Sequence, residues 1–240
     1  MNQFAEKVSS RDPIIAIDGP SGAGKSTIAR LLADRMGYLY LDTGAMFRAV
    51  ALMVKRKGIP IDDENTIEEA CRKLEISFAR SDDGQYRVFS NGEDVSDAIR
   101  TPEISMLTST ISAKKTVREI LLHMQRKIGS SGRVVLEGRD IGTAVFPDAD
   151  VKFFLSASAE ERGKRRFLEL NARGEDTTLE KTISEVVLRD EQDERREHAP
   201  LRKAEDAVVI DTTALSINEV LSIMEGIVLE KSAKESCGNR

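Results

Sequence analysis

The chain has 240 residues, 40% of them hydrophobic and 32% charged, with a formal net charge of −5. That length allows one or two domains, and the apolar share suffices for a sizeable core, which excludes a disordered chain. The acidic balance, with 36 Lys and Arg against 41 Asp and Glu and no Trp at all, argues against a general nucleic-acid binder.

In chain order, residues 13–17 form a short apolar run that predicts a buried strand, and 18–24 are Gly-rich. Residues 26–36 place Ile28, Leu31, Leu32 and Met36 on one helical face, and Gly37 stops the helix. A second strand is predicted over 38–41, with helices over 45–57 and 66–74. From 75 to 95 the pattern alternates apolar and polar residues around Asp83-Gly84 and Asn91-Gly92. Both dipeptides are hairpin signals, so a small antiparallel insert is expected there. Residues 101–129 read as mostly helical, and 133–136 and 151–155 as strands. Long charged helices follow over 159–171 and 179–196, then a strand over 207–210 and a helix over 216–229. The tail from 231 is polar and expected to fray. Five buried-type strands alternating with helices imply an α/β fold with a parallel sheet.

Cys71 and Cys237 are far apart, and His123 and His198 are the only histidines, too few for a disulfide framework or a zinc centre. Residues 1–12 lack the apolar run of a signal peptide, and no segment approaches a membrane span. The expectation is a cytoplasmic protein.

Gly19-Pro-Ser-Gly-Ala-Gly-Lys-Ser26 fits G-x-x-x-x-G-K-[ST] without mismatch, after a predicted strand and before an amphipathic helix. Glycines 19, 22 and 24 let the backbone wrap a phosphate, and successive N–H groups and the helix N-terminus supply positive potential. Lys25 would bridge the transferring phosphates, and the Ser26 hydroxyl would hold Mg²⁺. The strand 134–137 ends in Glu137, a candidate for the acidic group near that ion, with Asp18 a second. No guanine-reading Asn-Lys-x-Asp occurs, so the chemistry points to a kinase with a second substrate rather than a signalling GTPase.

Arg139-Asp140 lies directly after a strand end, where open α/β sheets bind ligands. Arg162, Arg165 and Arg166 share a helix face, as do Arg189, Asp193 and Arg196. Such runs are often solvated surface, and Arg195 and Arg202 are read that way. Beside a phosphate loop, however, arginines are suited to clamp the charge of a transferring phosphoryl group.

Leu41-Asp-Thr-Gly-Ala-Met-Phe-Arg48, Glu137-Gly-Arg-Asp-Ile-Gly-Thr143, Phe146-Pro-Asp-Ala149, the Arg189–Arg196 helix and Ile210-Asp-Thr-Thr213, together with the phosphate loop, resemble the bacterial cytidylate kinases from about residue 14 to 228. The resemblance implies a nucleoside monophosphate kinase fold: a five-stranded parallel sheet flanked by helices, a small antiparallel insert in the monophosphate-binding region and an Arg-bearing helical lid. It implies one kinase domain, with a core over about 13–60, 101–156 and 197–230, the insert over about 61–100 and the lid over about 157–196. The implied activity is phosphorylation of CMP and dCMP by ATP with Mg²⁺, in a monomer without nucleic-acid or membrane partners.

By the same resemblance, Gly19, Pro20, Ser21, Gly22, Ala23, Gly24, Lys25, Ser26 and Thr27 would hold ATP, with Arg162 and Arg166 in the lid over it. Arg48, Arg139 and Arg196 would grip the CMP phosphate, with Thr43 nearby. Ser109, Arg118 and Asp140 would read the cytosine edge, and Arg189 and Asp193 would face the ribose. Lys25, Arg139, Arg166 and Arg196 would carry the transfer, and Ser26 and Glu137 the metal. Phe47 stands where the family usually has Tyr, Thr43 where Ser is also common, and Glu137 where Asp is more usual. A kinase of another nucleoside monophosphate or small metabolite, or a non-catalytic nucleotide-binding switch, are the alternatives. The insert argues against the first and the Lys25 and Arg set against the second.

Overall fold

The computed structural model describes residues 13–81 and 84–238, without the side chains of 232–238. The chain runs through β1 (Ile14–Asp18), α1 (Lys25–Met36), β2 (Leu39–Asp42), α2 (Thr43–Arg56) and α3 (Glu64–Arg72). It continues through β3 (Ile76–Arg80), β4 (Tyr86–Ser90), β5 (Glu93–Asp94), α4 (Pro102–Ala113), α5 (Lys115–Gly129) and β6 (Val134–Glu137). Then follow β7 (Val151–Ser156), α6 (Ala159–Ala172), α7 (Leu179–Arg195), β8 (Val208–Asp211) and α8 (Ile217–Gly238).

The larger sheet is parallel, in the order β2-β6-β1-β7-β8. β1 is buried along its whole length, which its unbroken apolar run requires of a central parallel strand. Alternate residues leave it for opposite faces. Ile14 and Ala16 join the core under α2–α5, and Ile15 and Ile17 the core under α1 and α8. The connection after β1 leads to one side of the sheet, whereas β7 lies on the other. The loops after β1 and β6 therefore border a crevice at the carboxyl ends of the strands.

The expected insert is present. β3, β4 and β5 form a separate antiparallel sheet, and Asn91 (φ 50°) and Gly92 (φ 82°) both take the left-handed backbone that a two-residue hairpin turn needs. The other hairpin signal involves Asp83, which lies outside the described residues.

Three boundaries differ from the sequence pattern. The helical stretch from 101 breaks at Lys114, whose ψ of 123° is extended, so α4 and α5 are separate rods. α7 ends at Arg195, and Arg196 (φ −64°, ψ 142°) has left the helix. α8 runs on to Gly238 rather than ending near residue 229.

Candidate active site

A cleft of about 820 Å³ opens where β1, β2 and β6 end, between the phosphate loop, the insert, α4 and the α6–α7 pair. Eleven basic side chains and six carboxylates line it, an excess of five positive charges in a chain whose net charge is −5.

The loop from Gly19 to Gly24 has the form its sequence predicts, but its glycines serve different ends. A Cβ on Gly19 (φ +147°) would come within 2.0 Å of the Leu155 carbonyl oxygen, and one on Gly22 (φ +77°) within 2.9 Å of the Arg162 carbonyl oxygen. These two are required by the close approach of β7 and α6. Neither Gly19 nor Pro20 lines the cleft, whereas residues 21–27 do. Lys25 begins α1, and its ammonium donates to the Pro20 carbonyl at 2.6 Å. Burial, and then the nearby Arg139, push its pKa down to about 7. An anionic ligand would relieve both penalties.

Glu137 is buried opposite Ser26. Its pKa is raised by burial and by Asp42, against hydrogen bonding from Ser26 and Tyr40. Tyr40 Oη donates to Glu137 Oε1 at 2.8 Å. A hydroxyl beside a carboxylate is a hard-oxygen set suited to Mg²⁺. Among the described residues no group of three or more His, Cys, Asp or Glu could cage a metal. This fits an ion that arrives on nucleotide phosphates and takes only one or two protein ligands. Asp18, the other candidate, is spent elsewhere. Its two oxygens accept from Ile141 N at 2.8 Å and Gly142 N at 2.7 Å, which pins the turn that follows Arg139-Asp140.

The arginines converge from four directions. Arg48 donates to Asp42 at 2.9 Å, and Arg139 Nε to Asp193 Oδ2 at 2.8 Å. Arg196 Nη1 donates to the other Asp193 oxygen at 3.2 Å, and its Nε to the Ala199 carbonyl at 2.7 Å. Burial raises the Asp193 carboxyl, but Arg139, Arg196 and Arg189 outweigh it and lower the pKa. Arg48 Nε and Arg196 Nη2 are buried with no hydrogen-bond partner. Arg189 lines the same wall, and burial and the neighbouring Arg139 push its pKa down to about 10. Buried donors without acceptors are costly, so this wall is built for an anion.

Deeper in, Asp140 is ion-paired with Arg118 and lies 3.5 Å from Arg196 Nη2. Arg118 also donates to the Ser112 carbonyl at 3.0 Å and stacks over the Phe47 ring at 5.3 Å. Phe47 thus serves as a face for the guanidinium. Thr43 gives its proton to the Glu137 carbonyl at 2.6 Å, so its hydroxyl can only accept from a ligand.

The family model for cytidylate kinase matches residues 15–229. The chain belongs to the cytidylate kinase family. The cytidylate kinase of Citrifermentans bemidjiense is 65% identical over 226 residues, 94% of this chain and 96% of its own. That of Geobacter sulfurreducens is 63% identical over 221 residues, 92% of this chain and 94% of its own. A crystal structure of an uncharacterized protein from Eubacterium ventriosum shares the fold, with a TM-score of 0.50 at 11% identity over 90% of this chain and 98% of its own.

Within this cytidylate kinase framework, two expected positions besides Gly19 and Pro20 fall outside the cleft wall. Arg162 is buried and locked. It pairs with Asp190 and donates to the carbonyls of Ser21 and Ala157, both at 2.9 Å, while Asp190 accepts from Ser21 N at 3.0 Å. It braces the phosphate loop and lies outside the cleft wall. Ser109 likewise lies off the wall, where α4 presents Ser105, Thr108 and Ser112. Arg166 does line the cleft, paired with Glu169 at 2.8 Å. Arg195 is exposed, as its surface reading required.

Some wall residues were given no role from the sequence. Arg165, noted there only as sharing a helix face with Arg162 and Arg166, lines the cleft and donates to Thr212 Oγ1 at 3.0 Å and to the Thr212 carbonyl at 2.7 Å. Leu215, Ile217 and Val220 form an apolar wall beside the phosphate loop. Their signal is weak, because three apolar residues at the start of an amphipathic helix read as core.

Proposed function

We propose that this chain transfers the γ-phosphoryl group of ATP to CMP and dCMP by direct in-line displacement. The observation that carries the reading is the cluster of Arg48, Arg139, Arg189 and Arg196 lining the same cleft as an intact phosphate loop, with Arg48 Nε buried and without a hydrogen-bond partner. Two anion sites share one cleft, as two phosphate-bearing substrates require. The charge balance agrees. CMP carries about two negative charges and MgATP about two, against an excess of five positive charges in the wall.

In this reading the residues 21–27 and Lys25 hold the ATP phosphates, and Arg165 and Arg166 flank them. Leu215, Ile217 and Val220 offer the adenine its apolar surface. Arg48, Arg139 and Arg196 grip the acceptor phosphate, which brings two anions together without a covalent intermediate. Arg189 and Asp193 face the ribose. Asp140, kept among guanidinium groups, accepts from the cytosine amino group, and Arg118 donates to the ring acceptors. Ser26 and Glu137 would hold Mg²⁺, which when bound with ATP neutralises charge on the phosphate oxygens. The α6–α7 pair would serve as the lid.

The test is a coupled ADP-release assay over CMP, dCMP, UMP, AMP and GMP. CMP and dCMP should be turned over far better than the purine nucleotides. Equal or better turnover of AMP would refute the cytosine assignment.

A further inference from the structure

One chain of contacts joins the insert to the carboxylate at the metal end of the cleft. Val88 and Phe78 of the insert pack into the core under α2, but Tyr86 packs against the opposite core, beside α1. Its hydroxyl donates to Asp34 Oδ1 of α1 at 2.7 Å, and Arg80 pairs with the same oxygen at 3.2 Å. The Tyr86 ring meets the Tyr40 ring nearly edge-on, with centroids 5.0 Å apart and planes at 75°. Tyr40 is buried, and its hydroxyl holds Glu137 Oε1.

Each link has a physical task. A glutamate has one more rotatable bond than an aspartate and so needs an outside restraint to present a fixed oxygen. The Tyr40 hydroxyl holds one carboxylate oxygen, Oε1, and the Ser26 side chain also bonds the carboxylate. The Tyr40 hydroxyl can hold its position only while the ring cannot tilt, and the Tyr86 ring packs against it. Partners that orient a metal-holding carboxylate commonly set its affinity. Tyr86, in turn, belongs to a small sheet fastened to α1 at this point by the two polar contacts on Asp34.

We propose that Tyr40 is a positioning residue for Glu137, and that Tyr86 makes this positioning depend on the docking of the three-stranded sheet against α1. The inference rests on the kinase reading above, with Ser26 and Glu137 as the metal-holding pair. It implies that the docking of the three-stranded sheet also sets the geometry at the donor's metal ion.

The experiment uses Mn²⁺ in place of Mg²⁺, so no turnover is needed. The full-length chain is saturated with ADP and titrated with Mn²⁺, and the free ion is followed by electron paramagnetic resonance. Melting temperatures are recorded for every variant. Glu137→Ala should weaken Mn²⁺ binding, and Tyr40→Phe, which keeps the ring, should weaken it roughly tenfold. Tyr86→Leu, or Tyr86→Met should the leucine variant melt early, should weaken it about two- to tenfold through loss of the ring contact. Tyr86→Phe retains the ring and should stay close to wild type. The double variant Tyr40→Phe/Tyr86→Leu should bind no more weakly than Tyr40→Phe alone, because Tyr86 acts only through the Tyr40 hydroxyl. If Glu137→Ala leaves Mn²⁺ affinity unchanged, the metal assignment fails and the proposal with it. If Glu137→Ala weakens Mn²⁺ while Tyr40→Phe or Tyr86→Leu binds it like wild type, the kinase reading stands and the coupling is refuted. Additive losses in the double variant refute the coupling as well.

Discussion

Replacing Asp190 by alanine tests the brace behind the phosphate loop. Arg162 and Asp190 are 7% and 8% exposed, and the substitution leaves a buried guanidinium without its counter-charge and Ser21 N without its acceptor. Breaking a buried pair in this way costs about 3–5 kcal/mol. Arg162 keeps its bonds to the Ser21 and Ala157 carbonyls, so about 3 kcal/mol is the reasonable expectation. At about 2.1 cal/mol/K of unfolding entropy per residue, a chain of 240 residues loses roughly 6 °C in Tm for that change. Scanning calorimetry measures it directly. Arg162→Met/Asp190→Leu removes both charges and should recover most of the loss, with little change in the KM for ATP. A guanidinium that clamped ATP would behave in the opposite way. Asp190→Ala melting within 1 °C of wild type while the double variant fails to bind ATP would refute the brace.

Lys25→Met should lower turnover roughly 10³-fold or more while the chain melts normally, because a charge that bridges transferring phosphates is worth several kcal/mol. Asp140→Ala should raise the KM for CMP and erode discrimination against UMP, whose O4 cannot donate; unchanged selectivity in the same assay would remove Asp140 from base reading. Arg196→Ala should cut kcat/KM for CMP and dCMP alike, by about 10- to 150-fold, whereas the exposed Glu194→Ala should be silent. Burial raises the Asp18 pKa to about 6, against the bonds from Gly142 and Ile141, so from about pH 4 to 6 the folded chain holds more protons than the unfolded one. Its stability relative to Asp18→Asn should therefore fall as pH rises through that window, which thermal melts at stepped pH would reveal.

The phosphate loop and the parallel sheet were legible because their signals are local: a spaced set of Gly, Lys and Ser, and apolar runs too short for helices. The insert was legible from its alternation and its Asn-Gly turn. Arg196 was legible in outcome but not in cause. Helical spacing placed it with Arg189 and Asp193, yet it reaches the cleft because α7 ends one residue earlier and the chain turns extended. Arg162 and Arg165 show what spacing cannot decide. They sit three residues apart on one helix, and only packing against Ser21 and Asp190 turns the first inward and leaves the second lining the cleft. The Tyr40–Tyr86 contact joins residues 46 apart across two sheets, and no local pattern announces it.

The unequal placing of charge has a consequence for what the molecule meets in solution. With an excess of five positive charges in the cleft and −5 overall, the rest of the chain carries ten net negative charges. At physiological ionic strength such fields die away over about 8 Å. A long polyanion must lie along the outside, where it is repelled, whereas a single nucleotide is small enough to pass the rim and feel only the interior. The same arginines that would make an open surface adhere to RNA are thereby reserved for ligands that fit inside.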